Sequence, residues 1–195
     1  MNKGIRLAHG EIIGILNADD IYAAPDVLAK VVKVFEDSEI GACYGDLCYI
    51  KESQEACKKS KVSDCPLSVT EVVRYWKSGA YNLNKFYWGW MPPHPTFFVR
   101  RSVYEQYGLF NIGLGSAADY ELMLRFLLRH RVRTAYIPEV LVKMRVGGMS
   151  NASIGNRIRA NRNDRRAWEV NGLKPYLWTI PLKPIRKIPQ YWLRP

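Results

Sequence analysis

The sequence predicts an α/β layered fold, because short apolar segments typical of strands alternate with amphipathic segments typical of helices. The segment 12–16 is apolar and ends in the polar run Asn-Ala-Asp-Asp at 17–20, as a buried strand does where it opens into a loop. Residues 27–35 follow Pro25 and repeat their apolar side chains at helical spacing, which predicts one apolar helical face formed by Val27, Leu28, Val31, Val32 and Phe35. A second apolar strand is predicted at 41–50. Polar side chains that follow strands in such a fold lie at the sheet edge where ligands bind.

Further elements follow from capping and breaking signals. Ser68 and Glu71 have capping-box spacing and predict a helix over 72–77, which Gly79 ends. The other predicted elements, in chain order, are a strand at 96–100, a short helix before Gly108, a helix over 118–130, two extended pieces around Pro138 and a basic helix over 153–170. In the helix over 118–130, Leu122, Phe126 and Leu127 are expected to face the core.

Composition places the chain among globular proteins and concentrates its positive charge at one end. Of the 195 residues, 48% are hydrophobic and 24% are charged, which excludes an intrinsically disordered chain. The net charge is +11, and residues 143–195 hold 12 of the 29 basic residues but 2 of the 18 acidic ones. A near-neutral body with a basic end points to an anionic surface or ligand at that end.

The termini and the cysteines predict a cytoplasmic location. The first 14 residues lack an apolar core followed by a cleavage site, and no apolar run approaches the ~18 residues of a membrane-spanning helix. Cysteines stand at 43, 48, 57 and 65, a spacing that matches neither a metal site nor a redox motif. We expect reduced thiols.

Asn17, Asp19 and Asp20 are the first candidate site. Two adjacent carboxylates after a buried strand repel each other, and a divalent cation such as Mg²⁺ or Mn²⁺ would relieve that repulsion. The alternative is a turn, which the same residue types favour.

Asp119 and Glu121 open the helix predicted over 118–130 and have two interpretations. Acidic side chains in a first turn complement the helix dipole. A carboxylate held within hydrogen-bond reach of a hydroxyl can also act as a general base.

His94 and the nearby tryptophans are candidate ligand contacts. His94 lies between prolines in Met-Pro-Pro-His-Pro, so a stiff segment presents its imidazole to a diphosphate or an acceptor sugar, or the backbone holds it by a hydrogen bond. Trp76, Trp88 and Trp90 suit either sugar stacking or core packing.

Together these segments resemble the family 2 glycosyltransferases of bacterial polysaccharide and O-antigen synthesis, in the family's order over most of residues 2–150. The resembling segments are NKGIRLAHGEIIGILNADDIY, YGD at 44–46, PHPTFFVRRSVYEQYGLF, AADYELMLRF at 117–126 and IPEVLVKMRVGGMS at 137–150.

The resemblance implies a GT-A fold, a Rossmann-like α/β/α sandwich, and inverting transfer of a sugar from a nucleotide-sugar to a saccharide or lipid-linked acceptor. It implies that Asp20 binds Mn²⁺ or Mg²⁺ and that Asp19 contacts the metal or the ribose. Asn17 stands where many members have Asp. Asp119 matches the catalytic base, while Glu121, His94 and Trp90 become contacts to acceptor or diphosphate.

The family's nucleotide-binding half should precede the metal motif, yet 16 residues precede Asn17. We therefore expect an N-terminally incomplete GT-A domain, the C-terminal two-thirds, at 1–150. Such a chain is expected to be inactive alone, to be completed by another chain or by a homo-oligomer, or to serve as a non-catalytic acceptor- or membrane-binding remnant.

Residues 151–195 are expected to form a basic helix and a tail rich in proline and aromatic residues. Aromatic and basic side chains together favour the headgroup region of an anionic membrane, which predicts peripheral binding at the inner face of the cell membrane. No DNA- or RNA-binding motif accompanies the basic helix, so a specific nucleic-acid partner is not expected.

Overall fold

The computed structural model describes residues 1–52, 70–146 and 154–193. The strands are β1 Ile12–Gly14, β2 Asp20–Tyr22, β3 Ala42–Glu52, β4 Thr70–Trp76, β5 Phe98–Arg100 and β6 Thr134–Arg145. The α-helices are α1 Asn2–Leu7, α2 Val27–Val34, α3 Asn84–Tyr87, α4 Arg101–Tyr107, α5 Ala118–Met123, α6 Ile154–Val170 and α7 Thr179–Ile185. A π-helical segment, Leu124–Arg129, continues α5, and 3₁₀ turns cover His94–Thr96, Ile112–Ala117 and Ile188–Tyr191.

The six strands form one sheet in the order β1-β5-β3-β6-β2, and β4 pairs with β3 outside that path. β3 and β6 run parallel, with Ala42 opposite Thr134, while the other pairs are antiparallel. β3 therefore lies at the centre, with β6 on one side. On the other side, β5 pairs with the start of β3 and β4 pairs with its later residues. Gly45 allows the close approach of β3 and β6, because a Cβ there would lie 2.4 Å from Cγ of Leu141.

The predicted helix over 72–77 is wrong, because strand β4 covers this segment as far as Trp76. Two adjacent valines and two aromatic residues favour an extended chain, and the pairing of Leu47 with Trp76 anchors the strand to β3. Glu71 lies within the strand rather than at a cap, and Ser68 lies outside the described residues.

The region around Pro138 is also one strand rather than two extended pieces. Proline has no N–H for a ladder hydrogen bond, so a strand that contains it needs an irregularity. The pairing of β6 with β3 shifts register between Tyr44, which faces Tyr136, and Asp46, which faces Val140. Pro138 falls within that shift.

Apolar side chains pack on both faces of the sheet, as expected for α/β/α layers. On one face, Val27, Val31 and Phe35 of the α2 region pack with Cys43 and Leu47. Leu28 and Val32, predicted on the same helical face, are exposed instead. On the other face, residues of α4, α5 and α6 pack with Tyr44 and Val99, and Leu122, Phe126 and Leu127 are fully buried there as predicted.

The segment after residue 154 shares this second core. Trp168 and Ile180 are buried among residues of the body, and the hydroxyl of Thr179 donates a hydrogen bond to the carbonyl of Tyr87 at 2.7 Å. Gly89 has φ +73° and sits against α7, where a Cβ would lie 2.7 Å from the backbone nitrogen of Lys183. None of the helices within 1–52, 70–146 and 154–193 is both long and apolar enough to cross a membrane.

Two of the four cysteines belong to the described part of the chain, and both are buried free thiols. Burial raises the pKa of Cys43 to about 12 and also raises the pKa of Cys48. Both thiols therefore stay protonated at neutral pH. Cys57 and Cys65 lie outside the described residues.

Candidate functional site

Asp20 is a buried carboxylate at the start of β2, with 5% of its surface exposed. Asn17 and Asp20 close a turn, in which the backbone N–H of Asp20 donates to the carbonyl of Asn17 at 3.0 Å. The side-chain amide of Asn17 donates to Oδ2 of Asp20 at 2.8 Å. Burial raises the pKa of Asp20, and the neighbouring charge of Asp19, which is exposed, raises it further. The predicted turn and the predicted carboxylate pair are therefore both present.

The charges of both predicted acidic sites act on His94. It begins the 3₁₀ turn that precedes β5, and its ring meets Phe110 edge to face with centroids 5.6 Å apart. Desolvation lowers the pKa of His94, while the negative charges of Asp119 and Asp20 act in the opposite direction. The imidazole is therefore neutral at pH 7, and both carboxylates lie within electrostatic range of it.

Asp119 stands half-buried in the first turn of α5, where the backbone N–H of Tyr120 donates to its Oδ1 at 2.8 Å. Tyr120 is itself held by two residues of the C-terminal segment. Its hydroxyl accepts a hydrogen bond from Nε1 of Trp168 at 2.9 Å, and Nζ of Lys183 lies 3.4 Å from its ring centroid. These contacts hold Tyr120, whose backbone N–H in turn positions Oδ1 of the Asp119 carboxylate.

Two of the predicted contact residues have structural partners instead of an open face. Trp90 is 4% exposed, and its Nε1 donates to the carbonyl of Ser78 at 2.9 Å. Glu121 is 3% exposed and pairs with Arg125, whose Nε lies 3.1 Å from Oε1 of the carboxylate. Asn171 donates to the same oxygen at 3.2 Å. Both residues therefore tie segments together, and we leave them out of the proposed ligand contacts.

A third buried carboxylate, Asp46 of the Tyr-Gly-Asp segment, accepts hydrogen bonds from three groups. The hydroxyl of Tyr75 donates to Oδ2 at 2.5 Å, while the hydroxyl of Tyr136 and the backbone N–H of Ser78 each donate to Oδ1 at 2.8 Å. This network joins β3, β4 and β6. Its completeness indicates a structural role.

Sequence analysis missed the basic side of this region. The charge of Asp119 also acts on Lys183 and Lys187, which lie one helical turn apart in the C-terminal segment. Lys183 forms an ion pair with Asp164 at 2.6 Å. The positive charge of Arg74 on β4 lowers the pKa of Lys187. The signal available in the sequence was the basic, proline-interrupted run at 183–187, which we assigned to a membrane surface.

The carboxylates suit a cation that takes most of its ligands from elsewhere. Among the residues that the structure describes, no cluster of three or more His, Cys, Asp or Glu side chains could hold a metal ion. Mg²⁺ commonly uses one or two carboxylates and completes its shell with substrate phosphates and water. The mutual repulsion of Asp19 and Asp20 fits that kind of shared site and not a cage made by the protein alone.

A known protein family matches the first part of the chain. A search of curated proteins gives no match. The family described as "Glycosyl transferase family 2" matches residues 1–108, more than half of the chain, including Asn17, Asp19, Asp20 and His94. Nucleotide-sugar donors and sugar acceptors are the substrates of that family. With the mixed α/β sheet and its helical layers, this match shows that the chain belongs to the family 2 glycosyltransferases.

Proposed function

We propose that this glycosyltransferase transfers a sugar, with inversion, from a nucleotide-sugar to a hydroxyl of a saccharide or lipid-linked acceptor. The observation that carries the proposal is that the negative charges of Asp20 and Asp119, two carboxylates about a hundred positions apart in sequence, both act on His94. The cell-surface polysaccharide context rests on the resemblance of the sequence segments alone.

In this mechanism, Asp119 is the general base. Its carboxylate takes the proton of the acceptor hydroxyl as the acceptor oxygen forms a bond to the anomeric carbon. The bond from that carbon to the diphosphate oxygen breaks on the opposite face, and the electron pair leaves with the nucleoside diphosphate. The backbone N–H of Tyr120 holds Oδ1 of Asp119 at 2.8 Å, so Oδ2 is the oxygen that receives the proton.

Asp20, assisted by Asp19, would hold Mn²⁺ or Mg²⁺, an ion that offsets negative charge on a departing diphosphate. Asn17 orients Asp20 by its hydrogen bond at 2.8 Å. His94, neutral at pH 7 because desolvation lowers its pKa, would donate a hydrogen bond to the diphosphate or to the acceptor.

The test of the base is Asp119→Asn, measured by transfer of labelled sugar. The amide keeps the shape of the side chain but cannot take a proton, and losing a general base typically costs ~10²–10⁴ in rate. Nucleotide-sugar binding should stay near the wild-type value. Glu105→Gln, an exposed carboxylate on α4, is the matched control. Wild-type turnover in the Asn variant would remove Asp119 from the mechanism.

We also propose that the C-terminal segment binds an anionic membrane surface, at the cytoplasmic face of the cell membrane. Large apolar side chains are exposed along it, with Leu177 84% and Trp192 75% exposed. Tyr176 and Trp178 extend this surface towards Trp88, whose ring centroid lies 6.0 Å from that of Trp178. Aromatic and basic side chains of this kind favour the headgroup region.

The membrane proposal is tested by co-sedimentation with anionic vesicles at low and high salt. Leu177→Ala combined with Trp192→Ala should lower vesicle binding severalfold, because both side chains are exposed and contribute apolar surface. Ile112→Ala is the matched control, since Ile112 is 81% exposed on a different segment. Equal binding by the double variant and the wild type would contradict the proposal.

A further inference from the structure

An aromatic cleft opens between helix α3 and the segment that leads into α7. It is lined by one asparagine and four aromatic residues, Asn84, Tyr87, Trp88, Tyr176 and Trp178. Its volume is about 490 Å³. Ligand clefts in proteins commonly enclose ~300–1,000 Å³ and combine aromatic walls with a few polar groups. The cleft therefore has the size and the lining of a ligand site, and none of its residues belongs to β2 or α5, which carry the candidate carboxylates.

The four rings of the cleft form a continuous row. Tyr176 stands within it, with its ring centroid 5.0 Å from that of Tyr87 and 4.9 Å from that of Trp178. Trp178 in turn lies 6.0 Å from Trp88. The interplanar angles along the row are 41°, 33° and 35°, so no ring stands perpendicular to its neighbour. Trp88 is 52% exposed and Trp178 is 45% exposed, so the row presents tilted aromatic surface that the core does not cover.

The polar groups of the cleft are free to bind a ligand. Within the described part of the chain, no hydrogen bond is made by the side-chain amide of Asn84, the hydroxyls of Tyr87 and Tyr176 or the indole N–H groups of Trp88 and Trp178. These groups supply donors and acceptors at the edges of the rings. None of the five lining residues is acidic or basic. The lining therefore matches an uncharged ligand that carries many hydroxyl groups.

Contacts outside the cleft hold it in shape. The hydroxyl of Thr179, which is fully buried, donates to the carbonyl of Tyr87 at 2.7 Å and joins α3 to the start of α7. The ring of Tyr87 also lies 5.0 Å from that of Trp168, another fully buried residue. A ligand would therefore meet rings that are already in place, which lowers the ordering cost of binding.

We infer that this cleft binds the sugar units of a neutral oligosaccharide. The C–H groups on one face of a pyranose carry a small positive charge and pack against the negative face of an aromatic ring. The hydroxyl groups at the edge of the sugar would at the same time bond to the free amide, hydroxyl and indole groups of the lining. A row of four rings suits several linked sugar units better than a single one.

An acyl chain matches the cleft less well than a saccharide does. The lining contains no aliphatic side chain. Leu177 and Trp192, the most exposed side chains of the membrane proposal, are not part of the lining. The saccharide site and the membrane surface therefore use different side chains of the C-terminal segment, and a lipid-linked saccharide would engage both.

The inference rests on the proposed function and names the chemistry of its acceptor. The ring of Tyr87 packs on Trp168, whose Nε1 donates to the hydroxyl of Tyr120 at 2.9 Å, and Tyr120 directly follows Asp119. A continuous series of contacts thus joins the cleft to the helix that carries the proposed base. We expect an acceptor of several sugar units, in which the units remote from the reacting hydroxyl occupy the cleft.

The experiment is saturation-transfer difference NMR of the full chain with cellohexaose, maltohexaose and mannohexaose, without donor or metal. Three hexasaccharides are used because stacking depends on the C–H face of the sugar and on how the linkage presents it. At least one should bind, with saturation concentrated on the C–H protons of one pyranose face, and glucose alone should give a weaker effect. Absence of saturation transfer to all three would overturn the site.

Variants of the exposed tryptophans locate the bound saccharide. Trp88→Ala and Trp178→Ala should each weaken oligosaccharide binding about tenfold, because each removes one stacking surface. Trp88→Phe keeps an aromatic face and should retain binding within a few fold. Ile112→Ala, at an exposed position on a different segment, is the matched control and should bind as the wild type does. Unchanged binding in both tryptophan-to-alanine variants would also overturn the site.

Vesicle co-sedimentation of the same variants separates a saccharide site from a membrane surface. If Trp88→Ala and Trp178→Ala lose vesicle binding but keep oligosaccharide binding, the rings contact lipid and the saccharide site is wrong. The NMR measurement requires neither donor nor turnover. Oligosaccharide binding that depends on the two tryptophans, in a protein that transfers no sugar, would therefore contradict the proposed function and leave the saccharide site standing.

Discussion

Asp46 and Asp20 are both buried carboxylates at the sheet, yet their surroundings are opposite. Asp46 is 1% exposed and accepts hydrogen bonds from two tyrosine hydroxyls and a backbone N–H. Asp20 is 5% exposed, accepts one side-chain hydrogen bond, from Asn17, and lies next to another acidic residue. Burial alone therefore does not separate a structural carboxylate from a functional one.

The environment of the charge is what separates a structural carboxylate from a functional one. A carboxylate that is fully hydrogen-bonded stabilises the fold, because the hydrogen bonds from its donors offset the cost of removing it from water. A carboxylate that is buried beside a like charge costs stability until a cation or substrate arrives. By that criterion Asp46 belongs to the scaffold, and Asp20 belongs to the candidate site.

Removing the Asp46 carboxylate should give the largest loss of stability. Asp46→Ala leaves the hydroxyls of Tyr75 and Tyr136 and the N–H of Ser78 without their acceptor, and each unsatisfied buried donor costs about 1–3 kcal/mol. We expect the free energy of unfolding, measured by urea denaturation, to fall by about 3 kcal/mol or more. Glu36→Ala, at an exposed position, is the control. A loss of unfolding free energy smaller than that of the control would show that Asp46, like Asp20, does not stabilise the fold.

Removing one donor should have a smaller effect of the same sign. Tyr75→Phe deletes the hydroxyl that bonds Oδ2 of Asp46 at 2.5 Å, and a hydrogen bond to a charged group contributes about 1.5–3 kcal/mol. Tyr22→Phe is the matched control, since the hydroxyl of Tyr22 makes no hydrogen bond within the described ranges. If both variants lose the same free energy of unfolding, the hydrogen bond from Tyr75 to Asp46 does not add to stability.

Asp20→Asn should have the smallest effect on stability and the opposite sign. The pKa of Asp20 is raised in the folded state above its value of 3.8, so the ionised carboxylate destabilises the fold at neutral pH. The variant should therefore gain about 0.5–1 kcal/mol at pH 7. Nucleotide-sugar binding in the presence of Mn²⁺ should fall at the same time.

The pH dependence checks the sign of this effect. Because the folded state binds the extra proton, wild-type stability falls as pH rises from 3.8 through the raised pKa. The gain of Asp20→Asn should thus disappear below about pH 3.8. A variant that is less stable than the wild type at pH 7 would show that Asp20 is satisfied in the manner of Asp46.

Periodicity predicted much of the fold correctly where packing and local preference agree. Strand β3 and the helix that starts at Ala118 carry continuous apolar patterns, and both are present. The helix predicted over 72–77 was wrong because a capping-box spacing competes there with β-branched and aromatic residues, and pairing with β3 decides the outcome. A local signal could not reveal a partner strand some twenty-five positions earlier.

The acidic and basic sides of the candidate site also differ in how far the sequence predicts them. The acidic side follows from residues next to strands and from the family resemblance, and in the structure the charges of Asp20 and Asp119 both act on His94. The basic side depends on how the C-terminal segment docks, which no periodicity encodes. Lys183 and Lys187 have the same residue type and neighbouring positions, yet one is paired with Asp164 and the other is not.

The contact of α7 with Gly89 also has a consequence for how the protein is made. A side chain at Gly89 would meet the backbone of Lys183, so the helix docks directly against main chain supplied by a much earlier segment. Domains generally fold from the N-terminus during synthesis, and α7 leaves the ribosome after the sheet. The acidic side of the site can therefore form on the nascent chain, whereas the basic side is added only when translation has passed Gln190. Completion of the site would then wait until the C-terminal segment has been synthesised and docked, which delays substrate capture until the scaffold has closed.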